Sequence, residues 1–275
     1  MLNDMKVKYP ILVALLTLSS ALLSAQVKLN VDTLECHIVN FSAGVLMPGK
    51  GSVSGSGGGS SMRELYKPPF VDFSIGCDYK YQSGWMVTLD GDIWFGNDNL
   101  LQRQERMAYV YSPAGYPHGT DGSIANIEAY NRSLAVRVGV ARLFPVYHKN
   151  PNSGIFVKLS GGWMMQKTAF NQSYSESAVP LLTADYVKLY DNLRNGAVLT
   201  EAIGFQYMNN YLTYANFRIT FELSQCWNRS SRPYQIDNLI GLNGKDNNRY
   251  FDLIYGLKLT WMFPLTGKTA YDYYY

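Results

Sequence analysis

The fold is decided by residues 71–95, which read VDFSIGCDYKYQSGWMVTLDGDIWF. Over Val71–Tyr81 apolar or aromatic residues occupy every second position, and polar or small residues occupy the positions between them. Successive side chains of a β-strand point to opposite faces, so this period predicts a strand with one apolar and one polar face. The turn composition of Gln82–Gly84 separates it from a second alternating run, Trp85–Phe95, and together they predict a tight hairpin.

The same alternation recurs along the rest of the chain. The six further segments are His37–Met47, Arg132–Phe144, Ile155–Met165, Val198–Met208, Tyr214–Trp227 and Tyr250–Phe263. Eight strands is an even number, as bacterial outer-membrane barrels require.

The connections between these runs alternate in length. Long ones follow strands one, three, five and seven: Pro48–Pro69, Asn97–Asn131, Asn171–Gly196 and Asn228–Arg249. Short ones follow strands two, four and six: Gln82–Gly84, Pro145–Gly154 and Asn209–Leu212. This asymmetry predicts an all-β fold, an eight-stranded antiparallel up-and-down transmembrane β-barrel with long extracellular loops and short periplasmic turns.

The polar faces carry charges of both signs with small residues between them. They are Asp72, Asp78, Lys80, Asp90, Asp92, Arg137, Lys158, Arg218, Glu222, Asp252 and Lys258. A soluble barrel would turn these residues to water. In an eight-stranded membrane barrel these residues would point inward, towards a lumen that is just wide enough for side chains. We expect a lumen charge network, because buried charge requires compensation.

The apolar faces end in aromatic residues, which favours lipid on the outside. The predicted aromatic girdle comprises Tyr79, Tyr81, Trp85, Trp227, Phe251, Trp261 and Phe263. Aromatic rings concentrate at both membrane–water interfaces of transmembrane barrels, so these residues indicate where the strands enter and leave the bilayer.

The chain ends predict export. Met1–Ala25 has the basic, apolar and small-residue regions of a signal peptide, with cleavage before Gln26. A short periplasmic segment, residues 26–36, would lead into a barrel over residues 37–264, and an aromatic periplasmic tail would occupy residues 265–275. The tail tyrosines could dock a partner or form a frayed terminus. They are Tyr271, Tyr273, Tyr274 and Tyr275. The predicted location is the outer membrane of a Gram-negative bacterium.

Composition argues against several functions. A net charge of +3 gives no electrostatic case for nucleic acid. Three cysteines without CxxC spacing predict neither a disulfide framework nor a metal site, and no cofactor motif is present. Of the three histidines, His37, His118 and His148, only His118 has a carboxylate and a serine nearby in sequence, Asp121 and Ser123. That trio lies within a flexible loop and lacks the fixed geometry that catalysis needs.

Three motifs suggest a family. They are Leu23–Gln26 (LSAQ), Ser153–Gly162 (SGIFVKLSGG) and Asp185–Gly196 (DYVKLYDNLRNG). The mature chain resembles the small OmpA/OmpX-like barrels and, more narrowly, an outer-membrane barrel family of Bacteroidetes. The resemblance implies an accessory role in larger envelope machines, such as secretion or barrel-assembly complexes.

We therefore expect a non-enzymatic structural or interaction protein. Its expected partners are outer-membrane lipid, lipopolysaccharide and other envelope proteins, through long loops on a rigid scaffold. The alternatives are a narrow channel for small solutes and a lipid-modifying barrel enzyme.

Overall fold

The computed structural model describes residues 35–55, 58–117, 119–120, 122–147, 150–171, 179–183, 185–208 and 216–265. Its strands are β1 (Cys36–Pro48), β2 (Ser52–Ser54), β3 (Phe70–Lys80), β4 (Trp85–Phe95), β5 (Glu128–Tyr147), β6 (Asn150–Asn171), β7 (Arg194–Tyr207), β8 (Phe217–Ser230), β9 (Gln235–Asp237), β10 (Leu242–Gly244) and β11 (Arg249–Leu265). Its α-helices are α1 (Met62–Leu65) and α2 (Arg103–Arg106), and 3-10 turns occupy Pro180–Leu182, Tyr186–Leu189 and Asn238–Ile240.

Eight of these strands close into a ring. They follow the order β1-β3-β4-β5-β6-β7-β8-β11, and β11 pairs back onto β1 from His37↔Leu265 to Pro48↔Ile254. Every neighbouring pair in the ring is antiparallel. The predicted eight-stranded up-and-down barrel is confirmed.

One predicted turn is wrong. The connection Pro145–Gly154 is instead mostly strand, because β5 and β6 continue to pair as far as Tyr147 and Asn150, across a register shift. Proline lacks an N–H and is tolerated at an unpaired edge. On the β4 side, the N–H of Leu143 donates to the carbonyl of Gly84, just beyond the last residue pair of β4 and β5. Pro145, two residues further along β5, therefore has no partner strand on that side that would need its N–H.

The long connections also contain more structure than their composition suggests. β2 lies in the Gly- and Ser-rich first loop and pairs with the start of β11. The fourth loop contains the hairpin β9–β10. Strands β5 and β6, with 20 and 22 residues, extend beyond their neighbours at both ends.

The barrel wall is apolar on the outside and polar on the inside, the reverse of a soluble protein. Outward apolar side chains such as Ile75, Val138 and Leu257 are 57%, 57% and 61% exposed, whereas inward ones are mostly buried. No helix in the described ranges is long and apolar enough to cross a membrane. An apolar wall around a polar lumen is the arrangement of a transmembrane barrel.

Candidate functional site

The middle of the lumen holds five charged side chains, which we call the ionic layer: Asp72, Asp92, Arg137, Glu222 and Lys258. Arg137 donates Nε and Nη2 to the two carboxylate oxygens of Asp92, at 3.0 and 2.6 Å. Lys258 Nζ lies 2.7 Å from a carboxylate oxygen of Asp72 and 2.7 Å from one of Asp92. Glu222 lies 3.4 Å from both cations. All five are buried, so each charge depends on its neighbours rather than on water.

Two further ion pairs extend this layer. Lys158 donates to Asp90 at 2.6 Å, and Asp90 is the least buried of the predicted lumen charges. Arg218 contacts Asp78 at 3.0 Å, and its guanidinium stacks over the Phe156 ring at 3.7 Å.

The last two predicted charges lie at opposite ends of the lumen. Lys80 is buried opposite Cys36 at the short-turn end. Asp252 is buried at the loop end, where it accepts the backbone N–H of Met62 at 2.6 Å. Its carboxylate therefore holds a loop instead of joining the predicted ion pairs.

Above the ionic layer, the first loop turns into the barrel. Met62, Leu65 and Tyr66, which we call the stopper, are fully buried. They pack against a ring of eight inward residues, one from each barrel strand. The ring consists of Leu46, Phe70, Trp94, Ala135, Met164, Val198, Cys226 and Ile254. The loop-side end of the lumen is therefore closed by an apolar layer that the wall and the loop build together.

Local chemistry fixes the stopper in place. Helix α1 begins with a capping box, in which the Ser61 N–H donates to Glu64 Oε2 at 2.7 Å. The hydroxyls of Tyr66 and Thr168 lie 2.6 Å apart. Arg194 donates to a first-loop carbonyl at 2.8 Å, and its guanidinium lies over an aromatic ring of β11 at 3.5 Å.

The other long loops fold over the barrel as a cap with its own apolar core. The buried core residues are Met107, Val110, Ala125, Ile127, Val179, Leu182 and Tyr190. They come from the second and third loops, and Ile236 of the fourth loop packs against them. These loops therefore form one packed unit.

Arg106, on α2, joins the cap to the stopper. Its guanidinium donates to Ser60 Oγ at 3.2 Å and to the carbonyl of Glu64 at 3.1 Å, both in the first loop. It also forms a buried ion pair with Asp237 of the fourth loop. One side chain thus bridges three loops, and the sequence contained no signal for it because its partners in the other two loops lie 42 to 131 residues away.

The cavity at the centre of the lumen is small. A central cavity lined by residues such as Asp90, Lys158 and Lys258 has a volume of about 10 Å³. That is room for roughly one water molecule. Among the described residues no group of three or more His, Cys, Asp or Glu side chains is placed to hold a metal ion.

The predicted girdle residues occupy both ends of the outer wall. Tyr79, Tyr81 and Trp85 surround the short turn after β3, and the Tyr79 and Tyr81 rings are 4.8 Å apart. Trp261 and Phe263 lie at the same end, with ring centroids 4.8 Å apart. At the loop end the rings of Trp227 and Phe251 are 5.7 Å apart.

One charged outward residue lies between apolar neighbours in the middle of the wall. Glu201 on β7 is exposed, and its register partners on β6 and β8 are Leu159 and Leu223. Its outward position was not predicted from the sequence. A carboxylate on the lipid face costs free energy, so such residues mark functional surfaces.

The remaining predicted residues offer little chemistry. The His37 ring packs against Tyr79 at 4.8 Å. His118, His148, the signal peptide and the tyrosine tail lie outside the described residues. Cys36, Cys77 and Cys226 carry free thiols.

No protein-family model matches the sequence, and no curated protein matches it. Ail of Yersinia pestis, solved with the heparin analogue sucrose octasulfate, is 11% identical, with 84% of this chain and 100% of that chain covered and a TM-score of 0.41. OprG of Pseudomonas aeruginosa is 12% identical, with 84% and 97% covered and a TM-score of 0.40. The N-terminal barrel of OprF from the same organism is 12% identical, with 84% and 100% covered and a TM-score of 0.36.

These likenesses are too distant to carry an argument about activity. The location follows from the chain's own geometry, namely a closed antiparallel ring, an apolar wall and a charged lumen. Bacterial proteins of this form span the outer membrane. The chain is an outer-membrane β-barrel.

Proposed function

We propose that this barrel is a non-enzymatic structural and interaction component of the outer membrane, acting as an accessory subunit of a larger envelope machine of the secretion or barrel-assembly type. The observation that carries the proposal is the doubly filled lumen. An ionic layer and an apolar stopper occupy it, while the loops are packed into one cap. A filled barrel with an ordered cap is suited to present a surface rather than to pass a solute. The narrower resemblance to a Bacteroidetes family belongs to the same proposal.

The cap presents aromatic side chains to the outside. Tyr109, Tyr116 and Tyr186 are 62%, 53% and 59% exposed, although they belong to packed loops. Tyrosine is enriched at protein–protein interfaces because it buries a large area at a small loss of conformational entropy. These residues are the part of the cap that we expect a partner protein to cover.

The wall offers a second contact. Glu201 faces lipid, where it has no water to solvate it. Gly161 and Ala197 lie close by on the same outward face, so a partner could approach the backbone there. A partner with a hydrogen-bond donor at this depth would remove the cost of the exposed carboxylate.

Affinity isolation in mild detergent, with quantitative mass spectrometry, tests the proposal. The wild-type chain should co-purify with envelope proteins at a constant molar ratio of partner to barrel. The cap variant Tyr109→Ser/Tyr186→Ser and the wall variant Glu201→Leu should each lower that ratio, whereas Glu105→Ser, at an exposed charged cap position, should not. A wild-type chain that purifies alone, from native envelopes and after cross-linking, would contradict the proposal.

The alternatives predict different results. A narrow channel would conduct in planar bilayers, whereas the stopper and ionic layer favour silence at all voltages. A lipid-modifying enzyme would change the lipid A mass spectrum when the chain is deleted, and we expect an unchanged spectrum.

The tyrosine tail is proposed as an additional periplasmic docking segment. Deleting residues 265–275 should remove a subset of partners. If the partners are unchanged, the tail is an ordinary frayed terminus.

A further inference from the structure

Four basic residues stand in an arc at the loop end of the outer wall. The arc follows five neighbouring strands: Arg132 on β5, Lys167 on β6, Asn195 on β7, Arg229 on β8 and Arg249 on β11. The four cations are exposed. We call these four the basic arc, and Asn195 lies on the strand between its two halves.

Within the arc, like charges face one another directly. Arg132 is the register partner of Lys167, and Arg229 is the register partner of Arg249. Like charges in opposed positions of an antiparallel pair destabilise the sheet. No carboxylate of the described residues forms an ion pair with any of the four. An anion between the members of each pair would turn the repulsion into attraction.

The aromatic girdle fixes the depth of the arc. Arg229 and Arg249 each lie two residues beyond a ring of the Trp227–Phe251 pair, on the side away from the membrane centre. The Arg132 guanidinium stacks over Phe95 at 5.2 Å and over Tyr130 at 4.6 Å. Interfacial aromatic rings mark the level of lipid headgroups. An anion bound by the arc is therefore expected at headgroup depth.

The rest of the wall lacks this feature. On the other side of the barrel the last outward residues of β1, β3 and β4 are Met47, Val71 and Phe95, none of which is charged. At the short-turn end Arg142 stacks on Trp85 at 5.0 Å, and its register partners are uncharged. The paired cations thus mark one side of the barrel and one leaflet.

We propose that the basic arc binds the phosphate groups of lipid A, the phosphorylated glycolipid of the outer leaflet, while its acyl chains lie along the apolar wall of β5 to β11 below. Guanidinium groups bind phosphate oxygens through two parallel hydrogen bonds, and lysine adds a point charge. A lipid is favoured over a soluble anion because the cations lie directly above the apolar wall and not on top of the cap. This inference is independent of the proposed partner protein.

Native mass spectrometry of the full chain in detergent micelles, titrated with lipid A, tests the inference. The wild-type chain should bind phosphorylated lipid A at least about tenfold more tightly than chemically dephosphorylated lipid A, a difference within the range of a few charge-assisted hydrogen bonds. The variant Arg132→Gln/Lys167→Gln/Arg229→Gln/Arg249→Gln should lose this preference.

A charge-matched control separates a specific site from general attraction. Arg63→Gln/Arg142→Gln/Lys188→Gln/Lys245→Gln removes four exposed cations elsewhere and should keep the wild-type preference. Folding of each variant is judged by heat-modified gel mobility. If the complete variant fails to fold, variants that neutralise only one half of the arc are tested instead, and each should lose part of the preference for phosphorylated lipid A. Arg132→Lys/Arg229→Lys/Arg249→Lys should retain most of it.

Two results would overturn the inference. The first is equal binding of lipid A by the arc variant and the charge-matched control. The second is tighter binding of a sulfated oligosaccharide than of lipid A to the same four cations, which would make the arc a glycan site.

Discussion

The ionic layer and the stopper lie one above the other in the same barrel, yet they are filled in opposite ways. In the ionic layer the strands supply every side chain, and the charges neutralise one another at 2.6 to 3.4 Å. In the stopper the strands supply an apolar ring, and a loop brings in Met62, Leu65 and Tyr66 to fill it.

The difference separates two kinds of stability. The ionic layer forms when the strands pair, so it belongs to the barrel itself. The stopper needs the first loop to fold inward and Arg106 to hold it there, so it belongs equally to the cap. We therefore expect the barrel to remain folded when the stopper is lost, whereas the stopper should not remain packed when the barrel unfolds.

The largest effect should come from breaking the ionic layer. Arg137→Met leaves Asp92 and Glu222 short of a cation in a buried site, and removal of one partner from a buried ion pair costs about 3–5 kcal/mol. The free energy of unfolding in phospholipid, measured with urea, should fall by that amount. The exposed pair Lys188–Asp185 is the control, because Lys188→Gln should change it by less than about 0.5 kcal/mol. An Arg137→Met barrel as stable as wild type would show that the strands do not depend on the ionic layer.

Removing part of the stopper should have the next largest effect, on the cap. Leu65→Ala deletes a fully buried side chain, and such changes cost about 2–5 kcal/mol. We expect faster protease cleavage of the long loops with little change in barrel unfolding. Leu239→Ala, at a residue 38% exposed, is the control. If barrel and loops lose stability together, the separation into two layers is wrong.

A smaller effect is expected from the link between the third and fourth loops. Arg232 donates to Asp191 in an ion pair that retains partial contact with solvent. Arg232→Gln should lower the local stability of these loops by about 1 kcal/mol, since solvent screens such pairs. Hydrogen exchange of the cap amides measures the change. A uniform change across the barrel amides would contradict a local role.

The smallest effect is expected in the pH dependence of the stability of the cap, which the barrel should not share. Burial raises the pKa of Tyr190 in the cap core and of Tyr111 beside it. A raised folded-state pKa stabilises the cap fully below the unfolded value of about 10, and this contribution is lost as pH rises through the folded value. Loop protection against protease should therefore decline above about pH 10. Tyr190→Phe should keep its protection to higher pH, and an identical decline in the variant would exclude this tyrosine as the cause.

The barrel could be predicted from sequence because its signal is local. Alternation along Val71–Tyr81 places Asp72 and Asp78 inward whatever the partner strands are. The same rule places Arg137 and Lys258 in the lumen without saying that both would reach Asp92. Strand ends were predicted less well, since the pairing of β5 with β6 continues past Pro145, where the alternation stops.

The stopper and the cap could not be predicted in this way. Met62, Leu65 and Tyr66 follow a Gly- and Ser-rich segment that looks flexible. Their burial depends on a ring that exists only after all eight strands have closed. Glu201 was visible in the sequence, but it gains meaning only when its outward direction and apolar neighbours are known.

The contacts of Arg106 bear on how the molecule is assembled. Arg106 and its partners in the first and fourth loops are delivered by three hairpins, and each hairpin must carry its loop across the bilayer before the guanidinium can meet its partners. The cluster therefore forms only after these three hairpins have crossed, at the end of the barrel opposite the start of β1 and the end of β11. Once the cluster has formed, withdrawing the hairpin of the second or fourth loop requires separating the buried Arg106–Asp237 ion pair.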